Sequence, residues 1–92
     1  MIQSFADKHT AALFDRRRVR KFAAFERSAR HKLEMINAAL VLDELRSPPG
    51  NRLEALKGDR SGQFSIRING QWRICFVWKE NGPYEVEIVD YH

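Results

Sequence analysis

Apolar residues recur with two different spacings, and the change between them divides the chain. In the first half, six apolar residues follow one another at steps of three or four: Phe22, Phe25, Ala29, Leu33, Ile36 and Leu40. Such steps place side chains along one stripe of an α-helix. The prolines and the glycine within residues 47–51 are expected to end this helix. After them the spacing becomes two, which is typical of strands with one buried face.

Three segments with a spacing of two predict three strands. Their inward-facing residues are Phe64, Ile66 and Ile68, then Trp72, Ile74, Phe76 and Trp78, then Tyr84, Val86 and Ile88. Asn69-Gly70 and Asn81-Gly82 lie between the segments and predict hairpin turns. Residues 53–57 are a candidate fourth strand, and residues 2–5 a short first one. Asp7 is expected to cap a brief helix that follows the first strand.

The apolar pattern favours a three-residue loop, over residues 69–71, in the first hairpin. This loop pairs Ile66 with Ile74, so that apolar residues share one face. It also sets Arg67 opposite Arg73 on the other face, where the two like charges repel. A phosphate bound between these guanidinium groups would turn that repulsion into affinity.

The second hairpin is predicted from the same requirement for a continuous apolar face. The expected pairs are Trp78 with Tyr84, Phe76 with Val86, and Ile74 with Ile88. Helices should cover this face, and the opposite face should expose Arg67, Arg73 and Tyr91 together. A strand, then helices, then a run of strands predicts an α+β fold, with two helices on one face of a mainly antiparallel sheet. The length of 92 residues predicts a single domain over 1–92.

Composition adds a basic charge and a cellular location. Sixteen Lys and Arg residues against twelve Asp and Glu give a net charge of +4, which suits a polyanionic partner. The lone Cys75 allows no disulfide within the chain and fits the reducing cytosol. No signal peptide and no apolar stretch of about 18 residues is present, so we expect a cytoplasmic protein without a membrane segment. Histidines at positions 9, 31 and 92 lack the spacing of metal ligands, and neither a metal nor a cofactor is expected.

Several segments together resemble one known family. They are Met1-Ile2-Gln3-Ser4-Phe5, Leu53-Glu54-Ala55-Leu56-Lys57-Gly58-Asp59-Arg60, Ser65-Ile66-Arg67-Ile68, Trp72-Arg73-Ile74 and Asp90-Tyr91-His92. In this order they resemble the HigB branch of the RelE/ParE toxin superfamily, over essentially the whole chain. The resemblance implies helices packed on a twisted sheet of four to five strands.

The same resemblance implies a function and partners. It implies the toxin of a type II toxin–antitoxin system, a metal-free endoribonuclease that cleaves mRNA in the ribosomal A site. The implied partners are the ribosome, its mRNA and a HigA-like antitoxin with a helix-turn-helix domain. Through that antitoxin, the toxin–antitoxin complex would bind its own operator DNA.

Carried over by position, the resemblance also implies an active site. Residues that match the family's active-site positions are Lys57, Arg73, Tyr91 and His92, with Asp90 beside them. Several HigB toxins have a histidine where this chain has Glu54, so Glu54 is a candidate replacement for it. Candidate RNA-binding residues are Arg67, Arg60 and the basic run Arg16, Arg17, Arg18, Arg20 and Lys21. The basic run could contact ribosomal RNA or acidic residues of the antitoxin.

Metal-independent RNA cleavage requires a deprotonated 2′-hydroxyl, stabilised charge on the phosphorus and a protonated 5′-oxygen. Arg73 and Arg67 suit the second task, because guanidinium forks match phosphate oxygens and stay charged. His92 is the best candidate for acid or base, since imidazole titrates near neutral pH. Glu54 is a second candidate base, and Tyr91 could stack on a base or donate to the phosphate.

Two other functions fit the same sequence. A toxin of the ParE branch binds and inhibits DNA gyrase without cleaving RNA, and the absent histidine keeps that alternative open. A basic RNA-binding protein without toxicity would bind free RNA in a salt-sensitive way. A neighbouring gene for a short helix-turn-helix protein would favour either toxin.

Overall fold

The computed structural model of the protein describes residues 1–91. Its α-helices are α1 (Lys8–Phe14) and α2 (Glu26–Ala38). Its strands are β1 (Glu54–Ala55), β2 (Phe64–Arg67), β3 (Trp72–Lys79) and β4 (Gly82–Asp90). Short 3-10 helices lie at Arg20–Phe25, Leu42–Arg46, Pro49–Asn51 and Gly58–Arg60.

The first helix begins where its capping residue predicts. The Asp7 carboxylate accepts a hydrogen bond from the backbone N–H of Thr10 at 2.6 Å, which satisfies one free N–H of the first turn. Leu13 is fully buried on the inner side of this helix. The Thr10 hydroxyl in turn accepts the N–H of Ile88 in β4 at 3.0 Å. This bond ties the helix to the sheet.

The predicted long helix is split in two. A 3-10 segment holds Phe22 and Phe25, and α2 then buries Ala29, Leu33 and Ile36. The prediction for Leu40 was wrong, because its side chain is 86% exposed. The reason is local: α2 ends at Ala38, and Ala39 has extended backbone angles that turn the chain away from the stripe. A short 3-10 turn also forms at residues 49–51, after the point where the prolines were expected to end the helix. A proline is tolerated at the first helical position because its missing N–H would have no partner there.

The sheet has the order β1-β2-β3-β4, and all its neighbours are antiparallel. The predicted first strand is reduced to a single parallel bridge between Phe5 and Val86. Backbone hydrogen bonds still hold this segment along β4, from Gln3 N–H to Pro83 at 2.8 Å and from Ala6 N–H to Val86 at 2.9 Å. The first residues therefore lie beside the outer edge of β4.

The first hairpin has the predicted register. Ile66 is opposite Ile74 and Arg67 is opposite Arg73, as a loop over residues 69–71 requires. The apolar face decides this register, because a shift by one residue would turn Ile66 and Ile74 away from the core.

The second hairpin is correct at one end and wrong at the other. Ile74 is opposite Ile88, and Arg73 is opposite Val89, as predicted. Beyond Cys75 the register shifts, so that Val77 faces Tyr84 and Trp78 faces Pro83. The predicted pair of Trp78 with Tyr84 was therefore wrong, whereas Phe76 and Val86 lie at the shift itself, where the ladder is irregular. The cause is a β-bulge in β4, where Glu85 takes a left-handed φ of 53°.

The core lies between the helices and one face of the sheet. Phe22, Leu33, Ile36, Ile66 and Ile74 are fully buried there. Trp72, the first residue of β3, packs its ring on Phe22 and Phe25 at centroid distances of 5.8 and 5.0 Å. Within residues 1–91, no helix has the length and apolarity needed to cross a membrane.

Candidate active site

Arg73 lies at the centre of the sheet face that the helices leave uncovered. Its neighbours across the ladder are Arg67 in β2 and Val89 in β4. The sequence predicts an exposed arginine here, but Arg73 is only 9% exposed. The difference arises because the Arg52 carbonyl, the Glu54 carboxylate and the Tyr91 ring all contact this side chain. Ser65 and Cys75 on the same face are completely buried.

Hydrogen bonds and an ion pair compensate the burial of the Arg73 charge. Nε donates to the Ser65 hydroxyl at 2.8 Å, and Nη2 donates to the backbone carbonyl of Arg52 at 2.9 Å. The Glu54 carboxylate lies 3.5 Å from Nη2. A buried guanidinium needs such partners, since removal of a charge from water is costly unless it is paired and hydrogen-bonded.

Tyr91 completes the cluster. Its ring lies 5.4 Å from Cζ of Arg73, within cation–π distance, and the residue is 42% exposed. Its backbone N–H donates to the carbonyl of Gln71 at 2.7 Å, which continues the pairing beyond β4. Two predicted site residues, Glu54 and Tyr91, therefore both contact a third, Arg73, on one face.

One nitrogen of the Arg73 guanidinium, Nη1, remains available to a ligand. Nη1 makes no hydrogen bond within residues 1–91, whereas Nε and Nη2 are engaged. Glu54 is about half exposed, so its carboxylate is open to solvent beside this cation. The arrangement offers a fixed cation, a proton acceptor and an aromatic ring to one anionic ligand.

Three other predicted basic residues lie on β2 or on the segment between β1 and β2. Lys57 is exposed, directly before Gly58, whose φ of 65° forms the turn. Arg60 is one-third exposed, and its Nη1 contacts the Glu87 carboxylate at 3.2 Å, which links the β1–β2 connection to β4. Arg67 donates from Nε to the carbonyl of Asn69 at 2.9 Å at the β2–β3 turn.

The Asp90 side chain lies on the other face of the sheet from this cluster. Asp90 is opposite Trp72 in the ladder, and Trp72 packs on the helix side, so the Asp90 side chain lies on that side too. Its carboxylate accepts a hydrogen bond from Nε2 of Gln71 at 3.1 Å. His92 lies outside the described residues, and its role stays a prediction.

The predicted basic run forms a separate surface between α1 and the Arg20–Phe25 helix. Arg16 pairs with Glu34 and Arg17 with Asp15, each at 3.2 Å on the exposed surface. Arg18 and Arg20 are exposed, as is Lys21. A groove of about 460 Å³ runs along this surface, lined by residues 17–21 together with His9 and Ala12. None of these side chains contacts Arg73 within the described part of the chain.

Sequence reasoning missed Ser65 and the carbonyl of Arg52. Ser65 could have been found from the predicted register of the first hairpin. The pairing of Arg67 with Arg73 makes Ser65 a diagonal neighbour of Arg73 on the same face. Nothing in the sequence pattern pointed to Arg52.

Cys75 lies on this face as well, and burial raises the pKa of its thiol, an effect that the nearby charge of Arg60 partly offsets. Among residues 1–91, no three His, Cys, Asp or Glu side chains are grouped to hold a metal ion.

Comparison with known proteins places this chain in a family. A family model for the RelE-like toxin of the type II toxin-antitoxin system HigB matches residues 3–92. Endoribonuclease HigB of Proteus vulgaris is 32% identical over the full length of both proteins. Toxin HigB-1 of Vibrio cholerae is 45% identical over 56 residues, which are 61% of this chain and 59% of that protein.

A solved structure supports the fold. The YoeB-YefM complex from Staphylococcus aureus contains a chain with a TM-score of 0.62 and 15% identity, and the match covers 100% of this chain and 98% of that one. This similarity confirms the predicted α+β, RelE/ParE-like arrangement of helices on a mainly antiparallel sheet. The match over residues 3–92 and the full-length relative show the family. The chain belongs to the HigB-like toxins, RelE-like toxins of type II toxin–antitoxin systems.

Proposed function

We propose that this toxin is an endoribonuclease that cleaves mRNA during translation by acid–base chemistry of its own side chains. The observation that carries the proposal is the buried Arg73 guanidinium, with Glu54 at 3.5 Å and the Tyr91 ring at 5.4 Å on one face. A relative of equal length, from Proteus vulgaris, is named an endoribonuclease, which supports the same activity.

In the proposed mechanism, the 2′-hydroxyl of the substrate gives its proton to the Glu54 carboxylate. The 2′-oxygen attacks the adjacent phosphorus, and Arg73 stabilises the charge that develops on the phosphate oxygens. The bond from phosphorus to the 5′-oxygen breaks and leaves a 2′,3′-cyclic phosphate. The departing 5′-oxygen takes a proton from His92, whose place as general acid follows from the family resemblance.

The remaining site residues hold the RNA. The half-exposed Tyr91 ring offers a face for base stacking, which is worth about 1–3 kcal/mol per base in single-strand binding. Arg67 is directly opposite Arg73 in the ladder and adds a second cation for the backbone. Lys57 adds a point charge for the phosphate backbone.

The proposed partners follow from the toxin family. An antitoxin partner is expected of a type II system, and we propose a HigA-like protein with a helix-turn-helix domain that carries the complex to operator DNA. The basic run, at residues 16–21, is proposed to contact ribosomal RNA, because exposed Arg and Lys side chains bind phosphates irrespective of sequence. The site of action is then the cytoplasm, where mRNA is translated.

The test is in vitro translation of a defined mRNA, with primer extension to map new 5′ ends. Wild type is compared with Arg73→Ala and with a variant lacking His92. Lys79→Ala is the matched control, since it removes a cation from the same strand, six residues from Arg73. We expect cuts within translated codons for wild type and Lys79→Ala. Loss of Arg73 should slow cleavage by about 10²–10³-fold, the usual cost of one donor to a developing anion.

The outcomes separate the possible errors. If wild type blocks translation while the mRNA stays intact, the nuclease proposal is wrong, and inhibition of gyrase is tested next. If wild type cleaves and Arg73→Ala cleaves at the same rate, the function stands but the role of Arg73 is wrong. Cleavage of naked RNA at the rate seen on translated message would contradict action on the ribosome.

A further inference from the structure

The guanidinium of Arg73 is held from one side by two acceptors. Its Nε donates to the Ser65 hydroxyl and its Nη2 to the Arg52 carbonyl, at 2.8 and 2.9 Å. The two nitrogens that these acceptors engage, Nε and Nη2, are neighbours in the planar guanidinium group. The Nη1 side is therefore the part of Arg73 that is left for an incoming phosphate.

The Ser65 hydroxyl is committed to Arg73 within the described residues. Ser65 is completely buried in β2, opposite Cys75 on one side and Glu54 on the other. Its bond to Nε is the one hydrogen bond of this hydroxyl found within residues 1–91. A buried hydroxyl costs free energy unless it is hydrogen-bonded, so its presence is explained by the guanidinium that it holds.

The second acceptor is fixed by a buried amide. Asn51 is completely buried, and its Nδ2 donates to the carbonyls of Leu45 and Ser47 at 3.1 and 3.3 Å. Its Oδ1 accepts from Nζ of Lys32 in α2. These bonds tie the turn at residues 49–51 to the helical layer, and Arg52 follows that turn directly.

Arg52 has the backbone conformation that this arrangement requires. Its φ of 47° is left-handed, a conformation that is unfavourable for a residue other than glycine. Strained residues persist where the surrounding structure enforces them, and they cluster at functional sites. Here the strain turns the Arg52 carbonyl toward Nη2 of Arg73.

We infer that Ser65 is a positioning residue for Arg73. Together with the Arg52 carbonyl, which Asn51 anchors, it fixes the guanidinium so that the Nη1 side faces the scissile phosphate. The inference rests on the proposed role of Arg73 in RNA cleavage. Ser65 does not touch the substrate, and it acts through the orientation of Arg73 alone.

The first test is a double-mutant cycle on the rate of single-turnover cleavage of translated mRNA. Ser65→Ala should slow cleavage by about tenfold or more, because small misplacements of a catalytic group are costly. In the background of Arg73→Lys, which has no Nε donor, the same change should alter the rate by less than about twofold. Ser4→Ala is the matched control: it removes a hydroxyl that accepts a backbone N–H, from Glu85 at 2.9 Å, at the far edge of the sheet.

The second test measures the hydrogen bond between Nε of Arg73 and the Ser65 hydroxyl directly. In ¹⁵N NMR spectra of the wild-type protein, the Nε–H of Arg73 should exchange with water much more slowly than those of the exposed arginines. Ser65→Ala should shift this signal and speed its exchange, while Ser4→Ala leaves it unchanged. A wild-type Nε–H that exchanges as fast as an exposed one overturns the inference, even if Ser65→Ala does not fold.

Failure of the inference can be told from failure of the proposed function. If Arg73→Lys slows cleavage and Ser65→Ala does not, the function stands and the positioning role is wrong. An equal loss from Ser65→Ala in both backgrounds would mean that Ser65 supports the fold generally, which also overturns the inference. If wild type leaves translated mRNA intact, the proposed function fails.

Discussion

Glu54 offers the sharpest test of the proposed chemistry, because it has two roles with opposite effects on rate. As a base it accelerates cleavage, whereas as a counter-ion 3.5 Å from Arg73 it competes with the phosphate for that cation. Glu54→Gln keeps the size of the side chain and removes both the proton acceptor and the charge. The sign of the change in rate therefore shows which role dominates.

The structure gives the magnitude of each effect. Glu54 is 48% exposed, so solvent screening limits the competing ion pair to about 1 kcal/mol or less. Its removal would speed cleavage by at most about fivefold. Loss of a general base slows a reaction by about 10²–10⁴-fold. The net expectation for Glu54→Gln is cleavage slower by about 20-fold or more.

The assay is single-turnover cleavage of a defined mRNA on translating ribosomes. Glu34→Gln is the matched control, because Glu34 is 50% exposed and pairs with Arg16 at 3.2 Å on another surface. Its rate should stay at the wild-type value. Glu54→His, which introduces the residue found in several relatives, should cleave faster than Glu54→Gln because it restores a proton acceptor. Cleavage by Glu54→Gln at or above the wild-type rate would refute the assignment of Glu54 as the base.

Three further outcomes follow from other parts of the molecule. Phe22→Ala should lower the free energy of unfolding by about 3–5 kcal/mol in chemical denaturation, since Phe22 is fully buried; a loss below about 1 kcal/mol would contradict its place in the core. Cys75, whose pKa is raised by burial, should resist iodoacetamide at pH 8 in the native protein and react after denaturation. Rapid labelling of the native protein would disprove that burial. Charge reversal of Arg18 and Arg20 together should weaken ribosome binding and flatten its salt dependence, and an unchanged salt slope in a sedimentation assay would remove the basic run from the RNA contact.

The strands and the first hairpin could be predicted because their apolar alternation is strict. Ile66 and Ile74 both need the core, and one register alone satisfies them. The register at the end of the second hairpin could not be predicted. A bulge at Glu85 adds one residue to β4, and the alternation of apolar and polar residues in the sequence does not change there. Leu40 continues the helical spacing in the sequence, but the helix itself ends two residues earlier.

The site was predicted less completely than the fold. Family resemblance identified Arg73, Glu54 and Tyr91, which the structure brings together. Their catalytic roles stay predictions. The burial of Arg73 was missed, because it depends on contacts with Arg52, Glu54 and Tyr91, which are distant from it in the sequence. Arg60 and Glu87 on the same side of the sheet are 27 residues apart, and no local sequence pattern predicts such a pair.

The two outer edges of the sheet are protected against self-association. Unpaired strand edges are templates on which further chains can add and form aggregates. At one edge β1 is only two residues long and carries the exposed charge of Glu54. At the other, residues 3–6 occupy part of the backbone of β4 with their own hydrogen bonds. Within residues 1–91, few backbone groups at the sheet edges are therefore free to pair with a second copy of the chain. This arrangement disfavours aggregation through strand addition when no partner is bound.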